Sequence, residues 1–435
     1  MKSLSLGMLP LSVRLKLLDG FLKRRSRSPM AMARYAYDHT AFYKRFFAPH
    51  MAQRFEDLPI LKKEFVRDIS PYDLLAAPHQ DDVVYYGETT GSTGSPTPAF
   101  YTKREFSSAR FMAYVSPLLD SIRPELKTNR TCINGLAFGF TIAGMSFGDV
   151  FEGLGGLVAN VGSRSTLATP ERIARAMARL KPVAMAAAPI DFLSWMRILE
   201  EDYPEQRQEM LASLKVLLST AELCSRSRVG AISRHFGIRH VDIYACVEGL
   251  FTLPCTCGEM HLLPSYHTEL FDSQLRPLGP YGTGRLVFTN LIKESTPMVR
   301  YLLDDWVTIS PSRCPHGFDR SIVPHGRYEL CVPLQGEFVG VEHVEEVLFR
   351  HGLFGDYFLV IEEKAMTLTV EQYLPTPVPA DDIAAAFETR FGMPTKVTGV
   401  PFGTITDYRG VRGSKPILKI DDRRPAASQE IPEFL

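Results

Sequence analysis

The stretch TPERIARAMARLKPVAMAAAP, residues 169–189, decides the fold. Thr169 is an N-cap type, and Pro170 suits the first helical position, where its missing N–H is not needed. Ile173, Met177 and Leu180 then recur at helical spacing until Pro182 stops the helix. The apolar run 183–189 that follows is short enough for a buried strand. The pattern repeats downstream: LKVLLST (214–220) reads as strand, RSRVGAISRHFG (226–237) as helix closed by Gly237, and HVDIYACV (240–247) as strand. Strand, helix, strand at this spacing predicts parallel pairing with helices on the faces, an α/β fold.

The character changes near Gly326. Beyond it come EFVGV (337–341) as strand, VEHVEEVLFRHG (341–352) as helix, DYFLVIEE and MTLTVEQY as strands, DDIAAAFETRFG (381–392) as helix and KVTGV (396–400) as strand. That order is the split βαβ arrangement of a small α+β domain. The predicted division is therefore a large N-terminal domain, 1–326, with mixed sheets and flanking helices, and a C-terminal domain, 327–435.

Composition narrows the function. Hydrophobic residues at 45% and charged residues at 23% exclude disorder for the bulk of the chain. Forty-nine basic residues balance forty-nine acidic ones, so no global field draws the protein to nucleic acid. The basic cluster KRRSRS (23–28) reads as solvated surface. No apolar run approaches the roughly 18 residues of a membrane span, and Pro10, Arg14, Lys16 and Asp19 break any leader-like run. Seven irregularly spaced cysteines argue for reduced thiols or metal ligation over a disulfide framework. A cytoplasmic protein with no membrane and no nucleic-acid partner is expected.

The densest chemical signal is TTGSTGSP, Thr89–Pro96, after the strand-like VVYYGE. Gly91 and Gly94 let the backbone fold tightly, and its N–H groups with the hydroxyls of Thr89, Thr90, Ser92 and Thr93 suit an anion such as a polyphosphate. No Gly-Lys-Ser/Thr follows, so it is not a Walker A loop.

This loop resembles the phosphate loop of adenylate-forming enzymes, and from about Tyr35 to Asp421 the chain resembles the phenylacetate–CoA ligase family. STAEL (219–223) is similar to the adenine-contacting stretch, with Ala221 and Glu222 as its Ala-Glu pair. DIYACVE (242–248) resembles Asp-Ile-Tyr-Gly-Leu-Ser-Glu, which implies Tyr244 beside adenine and Glu248 on Mg²⁺. GRLVFTNLIKESTPMVRYLLDD (284–305) implies Asp305 on the ribose hydroxyls. GRYELCVPLQGEFVGVEHVEEVL implies Arg327 as a phosphate or ribose contact and Glu329 as the hinge, and GSKPILKID implies Lys415 as the mobile catalytic lysine. AFGFTIAG occupies the acyl-pocket loop, with Phe138, Gly139, Phe140 and Gly144 shaping an apolar slot. The resemblance implies a large adenylate-forming domain with a mobile lid. It also implies ATP and Mg²⁺ as cofactors, a small-molecule carboxylic acid as substrate, coenzyme A or an amine as acceptor, and it admits a homodimer. Ser95 stands where lysine is usual, Val247 where Ser or Thr is usual, Gln335 where arginine is usual, and Ala245 replaces glycine. These departures keep a nucleotide- or acyl-binding homologue without ligase chemistry as an alternative.

A second cluster lies in CTCGEMH and SRCPHG: Cys255, Cys257, His261, Cys314 and His316. Thiolates and imidazoles in two patches suit a closed structural zinc, Zn²⁺. Finally, GMSFG (144–148) fits the Gly-x-Ser-x-Gly elbow of α/β-hydrolases, which requires a strand before Ser146 and a helix after it.

Overall fold

A computed structural model describes residues 9–89, 96–250, 252–411 and 419–425. The chain forms two compact units, one of residues 1–160 and 243–323, the other of residues 161–242 and 324–435. No helix among the described residues is long and apolar enough to cross a membrane.

In the first unit, helices Pro29–His39 and Ala41–Phe46 start at side-chain caps, Ser28 accepting from the Ala31 amide and Thr40 from the Tyr43 amide. Their apolar faces, including Met32, Phe42 and Tyr43, pack on Leu286, Phe288, Tyr301 and Val307 of a seven-stranded sheet. The order of that sheet is 277–279, 266–271, 282–290, 301–311, 320–327, 260–262, 252–254. Strands Val83–Glu88 and Pro98–Thr102 pair antiparallel, and the glycine-rich segment lies between them in sequence. Strands Thr131–Asn134 and Leu157–Asn160 run parallel, joined by a crossover that contains helix Ala143–Leu154.

The second unit contains the α/β repeat the sequence predicts. Helix Pro170–Leu180 starts at Thr169, whose side chain accepts from the Arg172 amide, and strands Ala184–Ala187, Val216–Ser219 and Arg239–Asp242 pair parallel. Helix Arg226–Phe236 ends at Gly237 with φ 65°, the left-handed cap that glycine adopts without strain. One expected strand is shorter: pairing stops at Asp242, and residues after it turn through mutual Cys246–Gly249 backbone hydrogen bonds of 3.2 Å.

Farther on, Val332–Leu334 pairs with Glu337–Val339 across a two-residue loop whose residues, Gln335 (φ 51°) and Gly336 (φ 82°), both have positive φ. That is a hairpin turn matched to strand twist. It withdraws the 337–341 strand from the larger C-terminal sheet, contrary to the split βαβ expectation. The four-stranded sheet instead has the order 395–401, 366–372, 357–361, 420–422, with Ile420–Asp422 parallel to Tyr357–Ile361. Gln335, the departure from the family's arginine, is thus a turn residue.

At the centre of the second unit lies a fully buried charge cluster. Arg228 donates to Glu222 (2.6 Å) and Glu345 (3.4 Å), and Lys419 reaches Glu222 (2.9 Å), Glu345 (3.3 Å) and Asp356 (3.5 Å). Burial opposes each charge, yet Arg228 and Lys419 hold the Glu222 carboxyl below its ordinary range, while Glu222 and its acidic neighbours raise both cations. Because Glu222 is depressed in the fold, its stabilising share is present above about pH 4.3, the unfolded value, and drains away as pH falls. Removing one member of such a cluster strands the others. Arg228→Met is expected to destabilise the protein by about 3–5 kcal/mol in reversible denaturant unfolding; a loss under about 1 kcal/mol would show the cluster to be dispensable.

Candidate active site

The hairpin base fixes the ends of the glycine-rich segment. The Thr97 amide donates to Thr89 Oγ1 at 2.9 Å, and the Thr89 amide donates to the Thr97 carbonyl at 3.1 Å. Thr90, Gly91, Ser92, Thr93, Gly94 and Ser95 lie outside the described residues, as does Lys415.

Next to that base is Glu248, 1% exposed. Tyr301 Oη donates to its Oε1 at 2.7 Å, and Thr97 Oγ1 lies 3.3 Å from the same Tyr301 hydroxyl. The other carboxylate oxygen, Oε2, is buried and has no hydrogen-bond partner among the described residues. Burial and the neighbouring Glu248 charge both raise the Tyr301 pKa, which keeps Tyr301 a donor. An acceptor oxygen left bare in the interior is costly unless a ligand takes it up, and a carboxylate oxygen is the kind of hard donor that Mg²⁺ takes.

Tyr244 and Asp305 also meet: the Tyr244 hydroxyl donates to Asp305 Oδ2. The strand that carries Asp305 is bulged. Arg285 pairs with Trp306 but Val287 with Leu302, so two steps along one strand face four along the other. Asp304 sits in the bulge at φ 68° and turns its carboxylate to Arg285 at 2.7 Å, which leaves Asp305 aimed at Tyr244. Strained non-glycine backbone of this kind concentrates at functional sites.

The loop before helix Ala143–Leu154 brings aromatic surface to the same unit. Phe138 is 40% and Phe140 66% exposed, so neither is core. A Cβ at Gly144 would lie 2.8 Å from the Ala137 carbonyl and 3.0 Å from the Phe138 ring, which is why the loop closes only on glycine. Gly139, at φ 101°, turns the chain between the two rings. Ser146 lies inside the helix, its amide donating to Ile142 at 2.9 Å, so the strand-turn-helix of a hydrolase elbow is absent and that reading is dropped.

Ala221, Glu222 and Arg327 belong to the second unit. Ala221 is at φ 71°, and both Glu222 oxygens are engaged, Oε1 by Arg228 and Lys419 and Oε2 by the Ile190 amide at 3.3 Å. Nucleotide contact by this pair would therefore fall to its backbone. Arg327 is exposed and begins the turn Tyr328–Leu330, beside exposed Glu329. Tyr301 escaped the sequence reading because a tyrosine inside an apolar strand looks like core.

The cysteine and histidine patches converge. Cys255 Sγ lies 3.6 Å from Cys314 Sγ and 3.3 Å from His316 Nδ1, and Cys257 Sγ lies 3.2 Å from His261 Nε2. Ligand atoms of Cys255, Cys257, His261 and Cys314 all fall within 4.8 Å of one another. Tetrahedral zinc with Zn–S near 2.3 Å sets its ligands roughly 3.5–3.8 Å apart, so the spacing fits. His261 Nδ1 faces the Arg320 carbonyl at 3.1 Å, which points Nε2 at the cluster, the outer contact expected of a ligating imidazole.

The chain has sequence relatives. It is 26% identical over 357 residues to phenylacetate-coenzyme A ligase of Thermus thermophilus, covering 77% of this chain and 76% of that protein. It is 25% identical over 371 residues to the Escherichia coli enzyme of the same name, covering 78% and 82%. No protein-family model matches. Among solved structures, 2-hydroxyisobutyryl-CoA ligase in the postadenylation state superposes with TM-score 0.69 at 17% identity, covering 95% of this chain and 89% of that one. An acyl acid amido synthetase in complex with 2,4-DB superposes with TM-score 0.62 at 10% identity, covering 97% and 96%. The fold is that of the adenylate-forming ligases. In sequence the chain is similar to phenylacetate-coenzyme A ligases over about three quarters of its length.

Glu248 depends on its tyrosine. Tyr301→Phe leaves a carboxylate oxygen without its donor in the interior, and unfolding free energy should fall by about 1–3 kcal/mol. An unchanged midpoint and slope in urea would mean that water or another group holds Glu248.

Proposed function

We propose that this protein activates an aromatic or other apolar carboxylic acid with ATP and passes the acyl group to the thiol of coenzyme A. The observation that carries this reading is the half-satisfied Glu248, fixed by Tyr301 at the base of the glycine-rich hairpin. The ligase relatives and the Tyr244–Asp305 pair support it.

In the first step a carboxylate oxygen attacks the α-phosphorus, the bond to the bridging oxygen of the β-phosphate breaks, and pyrophosphate leaves. Two anions must approach in line, so the protein's work is positioning and charge neutralisation. Thr89 and Thr97 hold the hairpin arms, Asp305 with Tyr244 offers acceptors to a ribose, and Lys415 neutralises charge on the α-phosphate. Mg²⁺, held by Glu248, would screen the phosphate oxygens. In the second step the sulfur of coenzyme A attacks the acyl carbonyl, and AMP departs with the bonding pair. Residues 327–435 act as the lid that carries Lys415 to the first step and away before the second, a motion that requires the Arg228–Glu345 and Lys419–Glu222 pairs to part. Zinc in the four-donor cluster is structural, and a cytoplasmic setting suits both reduced thiols and these cosubstrates.

Val247, at the position of the usual hydroxyl residue, contributes its carbonyl as acceptor to Tyr101, so its backbone retains a structural task. Amide formation shares the first step, and product analysis with coenzyme A and with amines separates the two.

Wild-type protein should exchange labelled pyrophosphate into ATP only when a suitable acid is present. Lys415→Ala should lower that exchange about 100-fold or more, the scale of one transition-state charge partner. Absence of exchange over a broad acid panel would leave the homologue without ligase chemistry as the better description. For the metal, protein purified without chelator should carry one zinc per chain. Cys314→Ser should lose it and melt at lower temperature; zinc-free wild type of full stability would contradict the assignment.

A further inference from the structure

The turn that follows strand Gly282–Asn290 holds a lysine in an unusual position. Asn290 Oδ1 accepts from the amides of Ile292 and Lys293, each at 3.0 Å. Glu105 Oε1 accepts from the amides of Glu294 (2.8 Å) and Ser295 (3.0 Å), and Ser295 Oγ donates to the Phe100 carbonyl at 2.8 Å. The backbone is thus pinned on both sides of Lys293. Its side chain is buried, 4% exposed, and Nζ makes no hydrogen bond among the described residues.

The ammonium lies 3.7 Å from the centre of the Tyr101 ring. Glu105 balances part of that charge, and Lys293 in turn holds its carboxyl down, but the Glu105 oxygens bond other donors, Oε2 taking the Thr102 amide at 2.9 Å and hydroxyl at 3.0 Å. Burial lowers the Lys293 pKa to about 8, against the pull of Glu105, Glu248 and Cys246. A fixed, dehydrated cation without an acceptor is costly, and a ligand anion is the simplest way to relieve it.

The surroundings say which anion. Tyr101 packs with Phe106 and with the partly buried Tyr85, Ile142, Met145 and Val247, next to the 138–144 aromatic loop. A positive charge at the edge of an aromatic, apolar cluster matches a molecule with a carboxylate at one end and an apolar body at the other. A polyphosphate has no such body.

We infer that Lys293, standing over the Tyr101 ring, binds the carboxylate of the acid substrate. The inference rests on the acyl-activating reading of the same site and names the group that orients the acid before the α-phosphorus is attacked. A lysine serves as a point charge here, with three donors for one carboxylate.

The test uses full-length protein and three probes: phenylacetate, its uncharged amide, and ATP with Mg²⁺. Lys293→Met keeps length and apolarity. Its melting temperature in the absence of ligand is measured alongside, because Glu105 loses a charge partner when Lys293 is removed. By calorimetry wild type should bind phenylacetate and not the amide. Lys293→Met should bind phenylacetate at least about tenfold more weakly, the scale of one charge-assisted hydrogen bond, with ATP affinity within about twofold. Lys293→Arg, which keeps the charge, should recover part of the loss. Unchanged phenylacetate affinity in Lys293→Met overturns the inference, and so does a loss confined to ATP, which would make this a phosphate contact. A lower melting temperature with intact acid binding would assign Lys293 a purely structural part beside Glu105. Should wild type exchange pyrophosphate while the variant keeps its KM for the acid, the inference alone fails. Should wild type neither bind nor activate any of a panel of aromatic and aliphatic acids, the functional reading fails with it.

Discussion

A carboxylate removed from water must be held at both oxygens, and Glu248 is held at one. The Tyr301 hydroxyl fixes Oε1, and Thr97 lies beside that hydroxyl on the arm of the hairpin. Through these contacts the strand that bears Tyr301, the loop that bears Glu248 and the base of the glycine-rich segment share one buried point. Oε2 has no hydrogen-bond partner among the described residues, and the proposed hard cation would take it up.

The same strand prepares a second contact by a different device. A regular strand would continue to alternate its side chains after Tyr301; the bulge at Asp304 interrupts that alternation, sends one carboxylate to Arg285 and delivers the next to Tyr244. Strand regularity is given up locally, and two adjacent carboxylates are sent to different partners. Lys293 follows a similar logic in a turn: neighbouring amides are bonded while the charged end makes no hydrogen bond among the described residues. In the second unit the opposite holds. Glu222, Arg228, Glu345 and Lys419 satisfy one another, so their charges stabilise the fold and leave little to offer a ligand.

The α/β repeat was legible because its signals are local: Thr169 caps, Pro170 starts and Gly237 stops, and each does so in the structure. The Cys and His patches were legible as chemistry, and folding joins them across some sixty residues of sequence. What sequence concealed depends on tertiary neighbours. Tyr301 and Lys293 look like a core tyrosine and a surface lysine until Glu248 and Tyr101 are placed beside them. Gln335–Gly336 carried a hairpin signal that was read as part of a longer motif, which is why one strand was assigned to the wrong sheet. Glu222 sits in a motif that suggests ligand contact, yet the partners that occupy it come from residues 190, 228 and 419.

The central claim is that an acid is activated by bonding one of its own oxygens to the α-phosphorus of ATP. Phenylacetate labelled with ¹⁸O in both carboxylate oxygens, incubated with ATP, Mg²⁺, coenzyme A and the protein, tests it directly by mass spectrometry of the nucleotide product. The account predicts AMP that carries one ¹⁸O atom and thioester that carries the other. Thioester formed with unlabelled AMP, or label found in inorganic phosphate beside ADP, would contradict it.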